Sequence, residues 1–180
     1  MERLVGLHGA AESGKDTVAD YLGKMYEYQK FSFASHLKDI AALAFDLDRS
    51  RMDDQDYKQS YDERYKLTVR EILQKLGTES FRYVFDEDFW LNAVGLKIDK
   101  AIRPLEVNRF VISDVRFSNE ALWIQSQGGV VVDINRVQDT KVPQHASESG
   151  IDPQLINFTL DNNGSLNHLY CNIETMVATW

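Results

Sequence analysis

The chain has 180 residues, 43% of them hydrophobic and 27% charged, and 28 acidic against 20 basic side chains give a formal net charge of −8. That is the size of one compact domain, able to bury a core without disulfide or metal staples. The acidic balance argues against a general binder of duplex nucleic acid or anionic membrane, since both select positive charge, and a single cysteine, Cys171, excludes an internal disulfide framework or a cysteine-rich zinc site.

No apolar run approaches the roughly 18 residues of a membrane span. The opening apolar run, Leu4 to Leu7, is short and is interrupted by Gly6, His8 and Gly9, which does not suit a signal peptide. The expectation is a soluble cytoplasmic protein.

In chain order, residues 4–8 read as a short buried strand bounded by glycine. A helix follows over 15–26, with Val18, Leu22 and Met25 at helical spacing. Residues 30–34 suit a second short strand, and Leu37, Ile40, Ala41, Leu43, Ala44 and Leu47 mark an apolar helix. The polar stretch 48–66 carries Tyr57, Tyr61 and Tyr65 four apart, which predicts a surface helix. Thr68 is placed to cap a helix bearing Val69, Ile72, Leu73 and Leu76, ending near Gly77. A helix over 88–101, strands over 109–113 and 130–134 with a helix over 119–127 between them, a last strand over 155–160 and a closing helix over 166–177 complete the pattern. Strands alternating with helices predict an α/β domain with a mainly parallel sheet covered on both faces. Ligands in such sheets bind at the carboxyl ends of the strands. Residues 9–17, 114–120 and 136–148 all follow predicted strands.

The first of these segments, Gly9-Ala-Ala-Glu-Ser-Gly14-Lys15, has the spacing G-x-x-x-x-G-K of a phosphate-binding loop. Glycines let the backbone turn so that N–H groups converge on an anion, and a helix starting near Lys15 aims its positive end at the same point. Lys15 supplies a mobile charge for the β- and γ-phosphates. Where such loops usually carry Ser or Thr as a magnesium ligand, this chain has Asp16, followed by Thr17. A carboxylate beside a triphosphate calls for a cation between them. Asp16 is therefore the candidate magnesium residue, directly or through water, and Thr17 a phosphate contact or loop cap. The alternative is Asp16 as an ordinary first-turn acid favoured by the helix dipole.

Asp114 ends the Arg109–Ser113 strand and Arg116 follows it, a pairing suited to a second anion because a guanidinium matches phosphate geometry. A surface Asp–Arg pair with a helix cap from Ser118 or Asn119 is the plainer reading. Arg70 and Gln74, four apart, share a helix face away from the apolar stripe. Phe89 and Trp90 read as core before they read as a base-stacking platform. Arg136 opens a polar segment reaching to His145, Ser147 and Glu148, which suits either a lid bringing an arginine to a transferring phosphoryl group or a solvated loop.

Together these motifs, with Phe33-Ala34-x-x-Leu37-Lys38, the Val69–Glu79 block, Trp90, Asp114-Val-Arg116-Phe-x-Asn119-Glu120 and Asn163-Gly164-Ser165-Leu166, occur in an order that resembles the deoxynucleoside monophosphate kinases of tailed bacteriophages, P-loop proteins of the nucleoside-monophosphate-kinase group. The resemblance spans nearly the whole chain, and its specific parts are Lys15-Asp16-Thr17 and Arg70…Gln74…Gly77-Thr78-Glu79. It implies a single three-layer P-loop kinase domain, with a helical monophosphate-binding region over about 35–102 and a lid over about 136–150. It implies transfer of the γ-phosphoryl group of ATP, with Mg2+, to a deoxynucleoside 5′-monophosphate. By position, Gly9, Ala11, Ser13, Gly14, Lys15, Asp16 and Thr17 would hold the ATP phosphates, and Asn163 would lie near the adenine. Lys38, Arg70, Gln74, Trp90, Asp114, Arg116 and Glu148 would line the monophosphate site. Lys15, Asp16, Arg116 and Arg136 would carry catalysis, and Asp114 is a weaker metal candidate beside Asp16. Its expected partners are small nucleotides, with neither nucleic acid nor membrane, and a homodimer is left open. Another small-molecule P-loop kinase (dephospho-coenzyme A or phosphomevalonate type) and a non-catalytic nucleotide-binding module are the alternatives, and the lack of an N-K-x-D motif weighs against a GTP switch.

Overall fold

A computed structural model describes residues 3–105, 108–137 and 150–180. Its chain divides into two compact units, one formed by the described residues of Met1–Ser32 and Val94–Trp180, the other by Phe33–Ala93. The division falls inside one long helix, and the helical region expected over 35–102 overlaps the second unit.

The first unit holds strands β1 (Leu4–His8), β2 (Gln29–Phe31), β5 (Phe110–Ile112), β6 (Val130–Asn135) and β7 (Phe158–Asp161) in the order β2-β5-β1-β6-β7, every neighbouring pair parallel. Successive side chains of a strand point to opposite faces, and the sequence uses both. Val5, Leu7, Val111, Val132, Ile134 and Leu160 pack with Val18, Ala19 and Leu22 of α1 (Lys15–Tyr26) and Leu169, Ile173, Met176 and Val177 of α7 (Leu166–Val177). On the other face a Cβ on Gly6 would lie 2.4 Å from Ile124 of α6 (Ser118–Ser126), so this glycine lets α6 press against the central strand. The last part of α5 (Phe89–Leu105) joins α6 there, with Gly95 in contact with Trp123. The result is the predicted three-layer α/β arrangement. The connection leaving β1 runs toward β2 while the one leaving β6 runs toward β7, which makes the carboxyl end of β1 the switch point of the sheet.

The second unit contains α2 (Ala34–Phe45), a 3-10 turn (Arg49–Arg51), α3 (Gln55–Gln59), a hairpin of β3 (Tyr61–Asp62) and β4 (Leu67–Thr68), α4 (Val69–Gln74) and a π-helical stretch (Lys75–Phe85) that runs on from α4. Of the surface helix expected over 48–66 only the short α3, carrying Tyr57, forms; Tyr61 lies in β3 and Tyr65 in the turn that follows it. Aspartates there divide the stretch into short pieces: Asp48 caps the 3-10 turn by accepting from Ser50 at 2.9 Å, Asp54 caps α3 by accepting from Asp56 at 2.8 Å, and Asp62 accepts from Arg64 at 2.9 Å in the hairpin turn. Such local bonds compete with one continuous helix, and the left-handed backbone of Lys66 (φ 56) closes the hairpin.

The Thr68 cap is present as a full capping box with Glu71. Gly77, however, does not end that helix. It is buried within the π-helical stretch, where a Cβ would come within 2.7 Å of Leu37, so the glycine serves close packing of α2 against that stretch. Smaller differences are a second strand at 29–31 in place of 30–34 and a last strand at 158–161, after a 3-10 turn (Pro153–Leu155), in place of 155–160. Among the described residues no helix is long and apolar enough to cross a membrane.

Candidate active site

Residues 9–14 leave the carboxyl end of β1 and turn into α1. Gly9 (φ 138), Glu12 (φ 59) and Gly14 (φ 102) all have positive φ. A Cβ on Gly9 would lie 2.7 Å from both the Ile134 carbonyl oxygen and Ser13 Oγ, and one on Gly14 would lie 2.5 Å from Asn162 Nδ2. Both glycines are therefore required twice over, by conformation and by space. Gly14 is the N-cap of α1 and offers no side chain to the first-turn amides, so that end of the helix has no side-chain cap among the described residues. Ser13 is fully buried and its hydroxyl has no hydrogen-bond partner among the described residues. The Lys15 ammonium folds back over the loop, donating to the carbonyls of Gly9 (2.9 Å) and Ala10 (2.6 Å). Burial, and after it the Arg116 guanidinium, pull Lys15 below its ordinary pKa, against the opposing pull of Asp16, Asp114 and Asp133. Lys15, Arg116 and Asp114, from two segments that follow β1 and β5, thus share one electrostatic neighbourhood.

Asp16 stands on the first turn of α1 with its carboxylate 80% exposed and paired at 2.8 Å with Lys30 of β2. Lys30 also binds Asp20 at 2.9 Å. Burial would lower the pKa of Lys30, but the hydrogen bonds it donates to the two aspartates, together with their charges, outweigh it and raise the value. Thr17 is half-buried in the same turn. Asp114 accepts a hydrogen bond from the Ser32 hydroxyl at 2.8 Å. The segment carrying Arg116 is held from below by Glu120, a buried carboxylate accepting from the backbone N–H groups of Arg116 (2.7 Å) and Phe117 (3.1 Å). At the start of α6 Glu120 accepts from the backbone N–H of the N-cap residue Phe117, and Ser118 Oγ, offered as an alternative cap, accepts from Asp152 N–H at 3.1 Å. Arg136 extends to the Glu12 carbonyl at 3.5 Å. Asn163 accepts the Val137 N–H at 2.7 Å and donates to Asp161, so its amide is engaged in holding the chain beyond β6.

The remaining predicted residues lie in the second unit. Lys38 of α2 is paired with Asp53 at 2.6 Å. Burial alone would raise the Asp53 pKa, but the Lys38 hydrogen bond and charge hold it below the ordinary carboxylate range. Arg70 donates to the Gln55 side chain at 2.7 Å, and Gln74 is half-buried one turn further along α4. Trp90 is core, as its residue type suggests: it is buried, donates its indole N–H to the Gly77 carbonyl at 2.9 Å and packs with Phe81 and Phe89. Glu148, His145 and Ser147, with residues 138–149 of the expected lid, lie outside the described residues.

Sequence reasoning missed Lys30, Asp53, Gln55 and the structural role of Glu120. Glu120 was findable, since a glutamate at the third position of a helix signals a capping box. Asp16 and Asp20, four apart on one helix face, also advertised a partner. Nothing in the spacing pointed to Asp53 or Gln55, which meet Lys38 and Arg70 across 15 residues of chain each.

The fold and the loop define the class: a parallel α/β protein with a glycine loop and lysine at the switch point of its sheet. The model of the deoxynucleotide monophosphate kinase family matches residues 52–173. A putative deoxynucleotide monophosphate kinase of Acanthamoeba polyphaga mimivirus is 31% identical, over 97% of this chain and 95% of its own length. The deoxynucleoside-5′-monophosphate kinase of Escherichia phage T5 is 26% identical over 97% of this chain and 98% of its own. Among solved structures, TT1252 from Thermus thermophilus aligns with a TM-score of 0.56 at 15% identity, covering 99% of this chain and 97% of that one, a likeness of fold. The chain belongs to the deoxynucleotide monophosphate kinase family.

Proposed function

We propose that the protein transfers the γ-phosphoryl group of ATP to a deoxynucleoside 5′-monophosphate, releasing ADP and a deoxynucleoside diphosphate. The observation that carries this reading is the 9–15 loop: two obligatory glycines, a helix end without a side-chain cap, and a lysine held at the loop by carbonyls that an incoming phosphate can replace. Family membership supplies the acceptor class.

The chemistry asks little of the protein beyond placement. An oxygen of the acceptor phosphate is already a nucleophile at neutral pH, so no side chain has to remove a proton. The chain must hold two anions in line and offset their repulsion. Lys15, Arg116 and Arg136 supply positive charge to the donor and the transferring group, with Gly9, Ala11, Ser13, Gly14 and Thr17 forming the backbone cradle. Lys38, Arg70 and Gln74 hold the monophosphate, while Trp90 shapes that region from within the core. Glu148 joins this set on the resemblance alone.

Magnesium fits the donor set. This ion takes one or two carboxylates plus phosphate oxygens and water, and Asp16, exposed on the first turn, and Asp114, beside Lys15 and Arg116, are such carboxylates. Bound there, it would add positive charge to the phosphate oxygens. Site of action is the cytoplasm, where nucleotide substrates are found.

A screen of the common nucleoside monophosphates with ATP and magnesium, following ADP release, tests the proposal. Activity with one or more deoxynucleoside monophosphates is expected. Activity confined to a non-nucleotide acceptor, or ATP binding without turnover on any acceptor, would overturn it.

A further inference from the structure

The turn after β7 reaches back to the glycine loop. Asn162 keeps its backbone N–H on the Asn135 carbonyl at 2.8 Å and directs its carboxamide Nδ2 to the carbonyl of Ser13 at 2.7 Å. The neighbouring Asn172 side chain donates to the Asp161 carbonyl at 3.0 Å and fixes the start of the turn. Ser13 and Gly14 are joined by a trans peptide. In a trans peptide the carbonyl and the next N–H point in opposite directions. A donor that holds the Ser13 carbonyl on the Asn162 side therefore sends the Gly14 N–H away from it, toward the opposite side of the loop. The Nδ2 atom also occupies the space a Cβ on Gly14 would take, 2.5 Å away, so the clamp and the glycine are one arrangement.

We propose that Asn162 is a positioning residue of the donor site: its carboxamide fixes the Ser13–Gly14 peptide plane so that the Gly14 N–H serves the donor's phosphates. The inference rests on the reading of the 9–15 loop as the ATP-phosphate site. It assigns to the 161–164 turn a phosphate-side role distinct from the adenine-side role that resemblance gives to Asn163. A neutral amide suits this task, because it orients the Ser13–Gly14 peptide without adding a further charge to a loop whose Gly9 and Ala10 carbonyls already hold the Lys15 ammonium.

Inorganic tripolyphosphate separates the two roles, since it has phosphates and no base. Titration calorimetry of the full chain should show Asn162→Ala weakening tripolyphosphate and ATP by the same factor, about five- to tenfold, with adenosine affinity unchanged. Asn162→Asp keeps the shape and the backbone bond to Asn135 but lacks the donor, so it should weaken tripolyphosphate at least as much, with a far-UV spectrum like the wild type's. Hydrogen exchange at residues 13–15 should quicken in both variants. If both variants bind tripolyphosphate as the wild type does, or lose affinity only for ATP and adenosine, the inference is wrong. A wild-type chain that binds no tripolyphosphate would instead overturn the donor-loop reading on which it rests.

Discussion

The 9–15 loop and the polar set of the second unit are made of different materials. The loop is a backbone construction: positive-φ glycines, a bare helix end, and side chains from Lys15 and Asn162 gripping carbonyls. The second unit's candidates are long side chains held by other side chains, Lys38 by Asp53 and Arg70 by Gln55. A backbone site is destroyed by one methyl group in the wrong place, whereas a side-chain site loses affinity by degrees. The same contrast separates what a donor common to many acceptors needs, a fixed cradle, from what acceptor selection needs, adjustable contacts.

Substitutions in the two regions should separate donor from acceptor binding. Lys15→Met should have the largest effect, lowering kcat by about a hundredfold or more while leaving the thermal unfolding midpoint within a few degrees of the wild type. Gly14→Ala comes next: the left-handed backbone and the collision with Asn162 should cost about 1–3 kcal/mol of stability and weaken ATP binding in calorimetry, with monophosphate KM little changed. Arg70→Ala should show the opposite selectivity, raising monophosphate KM about 10- to 100-fold, the worth of a charge-assisted hydrogen bond, at unchanged KM for ATP. A rise in both constants would erase the distinction between the two regions.

Smaller effects probe the second unit's scaffold. Trp90→Phe removes the bond to Gly77 and should cost about 1–2 kcal/mol in chemical denaturation. The Asp53 carboxyl titrates low when folded, so its contribution is present at neutral pH and above the unfolded carboxylate range and disappears as pH falls through the folded value. Asp53→Asn should therefore cost less than about 1 kcal/mol at pH 7, given the exposure of the pair, and the gap from wild type should close in acid.

How far the sequence spoke follows the same division. The sheet strands and the closing helix at Leu166–Val177 were legible because apolar runs and 3.6-residue periodicity report burial directly. The loop was legible because only glycine tolerates φ 138 and φ 102 in that space. The 48–66 stretch was legible only as far as the short α3, because regular tyrosine spacing suggests one long helix while Asp48, Asp54 and Asp62 bond nearby amides and divide it, and single-residue hydrogen bonds leave no period. Gly77 misled for a related reason: glycine marks helix ends and close packing alike, and the Leu37 contact that decides between them comes from 40 residues away in the chain. The Lys30–Asp16 pair, the Asn162–Ser13 bond and the Lys38 and Arg70 partners are long-range and depend on how the chain folds back, information that residue spacing does not carry.

The account turns on whether residues 9–15 hold the donor's phosphates. Hydrogen exchange of the intact chain with and without saturating ATP, and with adenosine as control, addresses this residue by residue. Amides of 9–15 should slow markedly with ATP and stay unchanged with adenosine. ATP protection that leaves those amides untouched while appearing elsewhere in the chain would contradict it.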